Sequence, residues 1–176
     1  AYEIVNNYTK EELANIFLKY GEDKFSRNIA KKIVEYRENK PIETTLELVE
    51  IIKSAVPMKF RKDKHPARQI FQAIRIEVNH ELDVIEPALE QALSILNVHG
   101  RVAVITFHSL EDRIVKNFFK EKCAIDKKLQ GMPNIPEEYL PDYKLVINKA
   151  IVPTEDELKN NPRARSAKLR VIEKIK

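Results

Sequence analysis

Arg101-Val-Ala-Val-Ile-Thr-Phe-His-Ser-Leu-Glu-Asp112 decides the fold, because a run of mostly β-branched residues stops abruptly in a polar cluster that opens a helix. Val102 to Phe107 shows no polar alternation, the pattern of a parallel strand covered on both faces. Asn97-Val-His-Gly100 before it is a turn out of a preceding helix. Ser109-Leu-Glu-Asp112 after it has the residue types of a capping box, with the Ser109 hydroxyl reaching the first-turn amides. Helix, strand and helix make one winding of an α/β sheet, and in such sheets ligands sit beyond the carboxyl ends of the strands. Phe107, His108, Ser109 and Asp112 therefore stand where a site belongs. Each polar residue also has a structural reading: Ser109 as a helix cap, Asp112 as a favourable first-turn charge, His108 as a satisfied residue at the strand end. Spacing alone does not choose between them.

Around this stretch lie 176 residues, 33% charged and 43% hydrophobic, enough for one domain or one and a half with a real core. The net charge of +4 leans towards an anionic partner but is too small to prove nucleic-acid binding. Cys123 is the one cysteine, which excludes an internal disulfide, offers no cysteine metal set and points to an intracellular, cytoplasmic chain. No apolar run approaches the length of a membrane span, and the N-terminus has no signal-peptide pattern.

Upstream, the first sixty residues read as three helices and no strand. Thr9-Lys-Glu-Glu12 is a capping box, Leu13, Ile16, Phe17 and Tyr20 form an apolar stripe, and Gly21 is a stop. A second helix from about Asp23 turns Phe25, Ile29, Ile33 and Val34 inward, and Lys24, Arg27, Lys31, Lys32 and Arg37 outward. A third, from about Thr45 to Ala55, is expected to bury Leu46, Leu48, Val49 and Ile52. Lys59 to Arg68 then carries five Lys/Arg against one Asp. The stretch reads equally as a solvated loop or as a phosphate-contacting surface made by Arg61, Lys62, Lys64 and Arg68. Pro66 opens a helix with Ile70, Phe71, Ile74 and Val78 on one side and Gln72, Arg75 and Asn79 on another. A further helix, about Leu82 to Leu96, leads into the central strand.

Downstream, Leu110 to Lys122 is amphipathic, and residues 123–142, with Gly131, Pro133, Pro136 and Pro141, read as an irregular excursion. Tyr143 to Val152 is a strand, Pro153 to Lys159 a short capped helix, and Ala167 to Ile175 a final strand. The link between the two strands is too short for a right-handed parallel crossover, so they should run antiparallel. That brings Asn161, Arg163 and Arg165 to the same sheet end as His108, if residues 143–152 run parallel to 102–107.

Three motifs in this order, His65-Pro-Ala with Phe71-Gln-Ala-Ile-Arg-Ile and Val78-Asn, Gly100 to Lys116, and Asn161-Pro-Arg-Ala-Arg-Ser-Ala-Lys-Leu-Arg170, together with Pro41-Ile-Glu-Thr-Thr45, resemble the small-subunit ribosomal RNA methyltransferase H family. The resemblance implies transfer of a methyl group from S-adenosylmethionine to the exocyclic N4 of a cytidine in 16S rRNA of the small ribosomal subunit. It also implies a Rossmann-like methyltransferase sheet with an inserted all-helical domain. Residues 1–65 would be most of that insertion, recognising RNA, and residues 66–176 the C-terminal half of the methyltransferase domain. Family members carry a glycine-rich cofactor loop in an N-terminal half. The glycines here are Gly21, Gly100 and Gly131, so the chain reads as a C-terminal fragment, inactive alone, with no cofactor-binding residue and no metal site.

In this frame His108, Ser109 and Asp112 line the cleft. Arg61, Lys62, Lys64, Arg68, Arg75, Asn161, Arg163 and Arg165 face RNA. Changing His108 or Asp112 is expected to cut turnover with stability held within about 1 kcal/mol. A pure RNA-binding module stays open as a second reading. A hydrolase using Ser109 and His108 is a weaker third, because no nucleophile-elbow glycines flank Ser109. The bare edge expected on the central strand predicts self-association of the chain as a dimer.

Overall fold

The computed structural model describes residues 1–61, 65–126, 129, 132 and 134–176, which form two compact units, Ala1–Glu81 and Leu82–Lys176. The first unit is all helical: α1 (Tyr2–Asn7), α2 (Lys10–Lys19), α3 (Ser26–Arg37), α4 (Thr45–Ala55) and α5 (Ala67–Asn79). Local chemistry starts two of them. Thr9 and Thr44 each accept from the backbone N–H three residues on, and the Glu at that position accepts from the threonine's own N–H. Such reciprocal pairs satisfy amides that a helix otherwise leaves open. The helices bury Leu13, Phe17, Ile29, Ile33, Ile52, Ile70 and Ile76 almost completely.

α1 has no strong sequence signal and is held from outside. Arg37 turns inward from α3 and donates to the carbonyls of Val5, at 2.8 Å, and Tyr8. The outward place expected of Arg37 is thus corrected, as is the inward place of Leu46, which is 75% exposed while Leu48, Ile51, Ile52 and Ala55 form the buried stripe of α4. Gly21 closes α2 where a Cβ would meet Phe17 O at 2.6 Å and Gln69 O of α5 at 3.0 Å, so only glycine fits. Because α5 packs on α2 and α4, the compact helical unit runs to Glu81.

The second unit is α/β: α6 (Ile85–Ser94), β1 (Arg101–Thr106), α7 (Ser109–Lys122), β2 (Tyr143–Leu145), α8 (Glu155–Asn160) and β3 (Lys168–Lys174), with 3-10 turns at Glu137–Tyr139 and Pro162–Ser166. The sheet order is β1-β3-β2, and β3 is antiparallel to both neighbours. β1 and β2 consequently point the same way, and the expected antiparallel relation of the last two strands holds. The second strand is shorter than expected: regular pairing ends at Leu145, and Ile151 returns to bridge Leu169.

Register puts Val102, Val104 and Ile172 on the face packed by α6 and α7, where Leu89, Leu93, Val115, Phe118 and Phe119 complete the core. The opposite face carries Ala103 and Ile105, the latter 59% exposed. This corrects the expectation of a parallel strand covered on both faces. Among the described residues β1 pairs only with antiparallel β3, and helices pack on one side. An uninterrupted apolar strand reads as doubly covered whether or not its second cover is present.

Candidate functional site

At the carboxyl end of β1 the chain passes through Phe107, 56% exposed, into α7. The N-cap is His108 rather than Ser109, one residue earlier than the sequence suggested. The His108 imidazole takes the place of a cap hydroxyl: its Nδ1 accepts from Glu111 N at 3.4 Å, and Glu111 Oε2 accepts from the N–H groups of Phe107 and His108 at 2.8 and 3.2 Å. That acceptance requires Nδ1 to be unprotonated, so the hydrogen of a neutral ring sits on Nε2. Nε2 is shielded from solvent, 3.2 Å from Glu111 Oε1 but without hydrogen-bond geometry. Both ring nitrogens therefore face Glu111. Ser109 is exposed as the first helical residue.

Asp112 sits one turn in, 7% exposed. Its Oδ1 accepts from Arg170 Nε at 2.8 Å, and its Oδ2 from Arg170 Nη2 at 3.2 Å and Lys168 Nζ at 3.1 Å. Period-two geometry places Lys168 and Arg170 on the strand face that α7 covers, two residues apart and both within reach of one carboxylate. The Arg170 guanidinium holds the Asp112 carboxyl below its ordinary value, with Lys168 adding to the effect and burial opposing it. Neither cation was singled out from sequence. The signal was the alternation Lys168-Leu-Arg170, but nothing local names a partner 58 residues away.

Lys168 pairs with Thr106, so the Pro162–Ser166 turn ends beside the β1 terminus. Asn161 N donates to Glu157 O, and Asn161 O accepts from Ala164 N at 3.0 Å. Arg163 and Arg165 are exposed around buried Ala164. The structure thus brings Phe107, His108, Ser109, Asp112 and the 161–166 turn to one sheet end.

The remaining predicted residues belong to the helical unit. Arg61 Nε donates to Val56 O at 2.7 Å, fixing the turn after α4, and Arg68 is exposed on the first turn of α5. Arg75 forms a two-pronged pair with Glu81, at 2.8 and 2.9 Å. Lys62 and Lys64 lie outside the described residues.

A Cβ on Gly21 or Gly100 would meet the chain's own backbone, at Phe17 O and Asn97 O, so both glycines serve tight turns. No group of three or more His, Cys, Asp or Glu among the described residues is placed to hold a metal ion, and none of their helices is long and apolar enough to cross a membrane. The Cys123 thiol is pushed up by burial, the opposite of an activated nucleophile.

Comparison with known proteins returns a family model, the MraW methylase family, matching residues 1–175. Two curated relatives, each named ribosomal RNA small subunit methyltransferase H and each from a strain of Lactobacillus delbrueckii subsp. bulgaricus, are 54% identical over 176 residues. The match covers 99% of this chain and 56% of each relative, so the chain spans about half the length of the proteins it matches. With near-complete coverage by the family model and more than half the residues identical, the chain belongs to the MraW methylase family.

Proposed function

We propose that this chain is the C-terminal part of a cytoplasmic enzyme that uses S-adenosylmethionine to methylate the exocyclic N4 of a cytidine in 16S rRNA of the small subunit. In this reading residues 66–176 belong to a Rossmann-like methyltransferase domain, and residues 1–65 are most of an inserted helical domain that recognises RNA. One observation above the rest supports it: two stretches far apart in sequence, 107–112 and 163–170, meet at one end of the sheet through Asp112, in a chain matched along its length by a methylase family.

The N4 lone pair of cytosine is delocalised into the ring, so the amine is a poor nucleophile. An acceptor on its N–H groups localises that pair, and the proton leaves after attack without a strong base. The base must be reachable, hence single-stranded or flipped, and held by stacking and edge contacts. Exposed Phe107 and Ser109 are the groups at the sheet end for those contacts, and Arg163 and Arg165 the cations for flanking phosphates. Asp112, its oxygens engaged by Arg170 and Lys168, acts as a positioning residue that fixes the start of α7.

The test is to incubate the full-length protein containing this chain with methyl-labelled S-adenosylmethionine and either 16S rRNA or small subunits, then digest to nucleosides. N4-methylcytidine is the expected labelled product; label on another nucleoside, or none on either substrate, refutes the reading. A module that binds RNA without catalysis would show no S-adenosylmethionine binding by calorimetry even at full length.

A further inference from the structure

The helical unit carries a concavity of about 390 Å³ between the α2–α3 connection, the end of α4 and the start of α5. Its apolar walls are Phe25, Phe60, Val56 and Pro66, and cations stand at its rim. The Phe25 and Phe60 rings are tilted at 52° with centroids 5.3 Å apart. Phe60 is 38% exposed, although nothing in a short 3-10 turn (Met58–Phe60) obliges a large aromatic to sit at the surface. Lys24 Nζ lies 3.7 Å from the Phe60 centroid and Lys59 Nζ 4.9 Å, and Arg68 also lines the pocket. The Arg61 bond to Val56 O holds the turn that presents Phe60.

We infer that this pocket is a stacking subsite for one unpaired base of single-stranded RNA. The inference rests on the RNA-directed reading above and adds the residues that grip the strand. A π-face serves any base, so the subsite gives affinity without reading sequence. The volume falls in the range of small-molecule pockets. A base laid on Phe60 takes the place of the Lys24 ammonium, and that ammonium then pairs with the phosphate of the same nucleotide. Lys59 and Arg68 face the neighbouring phosphates. Asp23 also lines the pocket, but its carboxylate accepts from Phe25 N at 2.6 Å and serves the start of α3. Lys24 and Lys59 over exposed Phe60, with Arg68 lining the same pocket, fit an anionic strand with flat bases.

The experiment measures binding of the full-length protein to a fluorescein-labelled single-stranded oligoribonucleotide, and to the same sugar–phosphate chain made abasic. Phe60→Leu should weaken binding of the intact strand about five- to 150-fold, the range of one base–aromatic stack. It should leave the abasic strand and the salt dependence unchanged, and Phe60→Tyr should restore affinity. Lys59→Ala should do the reverse, weakening both strands and lowering the salt slope by about 0.7. A 5-iodouridine strand should photocrosslink to the wild-type peptide containing Phe60, a readout that needs no variant to fold. If Phe60→Leu weakens both strands equally or neither, or if crosslinks fall only elsewhere, the subsite is overturned while RNA binding stands. If the wild-type protein binds neither strand, the RNA-directed reading falls and the subsite with it.

Discussion

Replacing Arg170 by Leu tests whether the clamp between α7 and β3 holds the site end together. The side chain of Arg170 is 14% exposed, and it gives Asp112 two charge-assisted hydrogen bonds at 2.8 and 3.2 Å. Such bonds contribute about 1.5–3 kcal/mol each, and breaking one side of a buried pair costs about 3–5 kcal/mol because the remaining charge is stranded. Here Lys168 remains at 3.1 Å, but its side chain is 43% exposed, so it recovers no more than about 1 kcal/mol. The expected loss is therefore about 2–4 kcal/mol, confined to the second unit. Asp112→Asn strands Arg170 instead and should cost a similar amount, well beyond the 1 kcal/mol that a surface first-turn aspartate would imply.

Because the chain has two compact units, a single melting curve is a poor measure of either. Amide exchange read on peptides covering β3 and α7, with the helical unit as an internal reference, isolates the effect. The folded pKa of Asp112 lies below its ordinary value of 3.8, so the clamp's contribution is fully present above that value and is lost as pH falls through the lowered one. The wild-type advantage over Arg170→Leu should accordingly vanish in acid. Equal exchange of the two proteins at pH 7, within about 0.5 kcal/mol, would refute the clamp.

Glu47 should titrate at about 2, held down by Lys40 and by the N–H groups of Glu43 and Thr44. Its support of α4 is present above the ordinary 4.5 and fades as pH falls through 2, and a carboxyl NMR midpoint near 4.5 would contradict the reciprocal cap. Leu46→Ser should change urea stability by no more than about 0.5 kcal/mol, whereas Ile52→Ala, at a fully buried position of the same helix, should cost about 2–5 kcal/mol. Similar costs would mean that the face of α4 has been assigned wrongly. The edge of β1 away from β3 carries no strand among the described residues, so this chain should pair edge to edge as a two-fold dimer. A monomer in light scattering at tens of micromolar would remove that expectation.

Features set by neighbouring residues were legible in the sequence. Thr9 announces its cap because a hydroxyl and a glutamate three residues apart solve a local problem of unpaired amides; the same pair at Thr44 and Glu47 was equally readable but was not singled out. The α7 cap was displaced by one because an imidazole nitrogen performs the same office as a hydroxyl, and sequence rules favour the serine beside it. Leu46 misled because the expected set 46, 48, 49 and 52 and the buried stripe 48, 51, 52 and 55 lie on overlapping faces of one helix, separated only by a rotation about its axis. The second face of β1 was invisible for another reason: strand composition records what a residue tolerates, not which side another element occupies. At the site, Asp112 was visible as a candidate, but its dependence on Arg170 and Lys168 was not, since no local pattern names a partner across 58 residues.

β3 is the middle strand of the sheet and the last of the three in chain order, which gives the molecule a timetable. The helical unit is made of nearby segments and can close once its own residues have left the ribosome, as local topologies do quickly. Among the described residues the partner strand of β1 is β3, which arrives only after some sixty further residues, a wait of several seconds at about 5–20 residues per second. During that interval Val102, Val104 and Ile105 lack the β3 ladder, and α7 has neither Arg170 nor Lys168 to clamp. Chaperone dependence and aggregation during synthesis should therefore track the arrival of Lys168 to Lys174, and slowing translation between residues 106 and 168 should lower the yield of soluble chain more than slowing it within the first eighty.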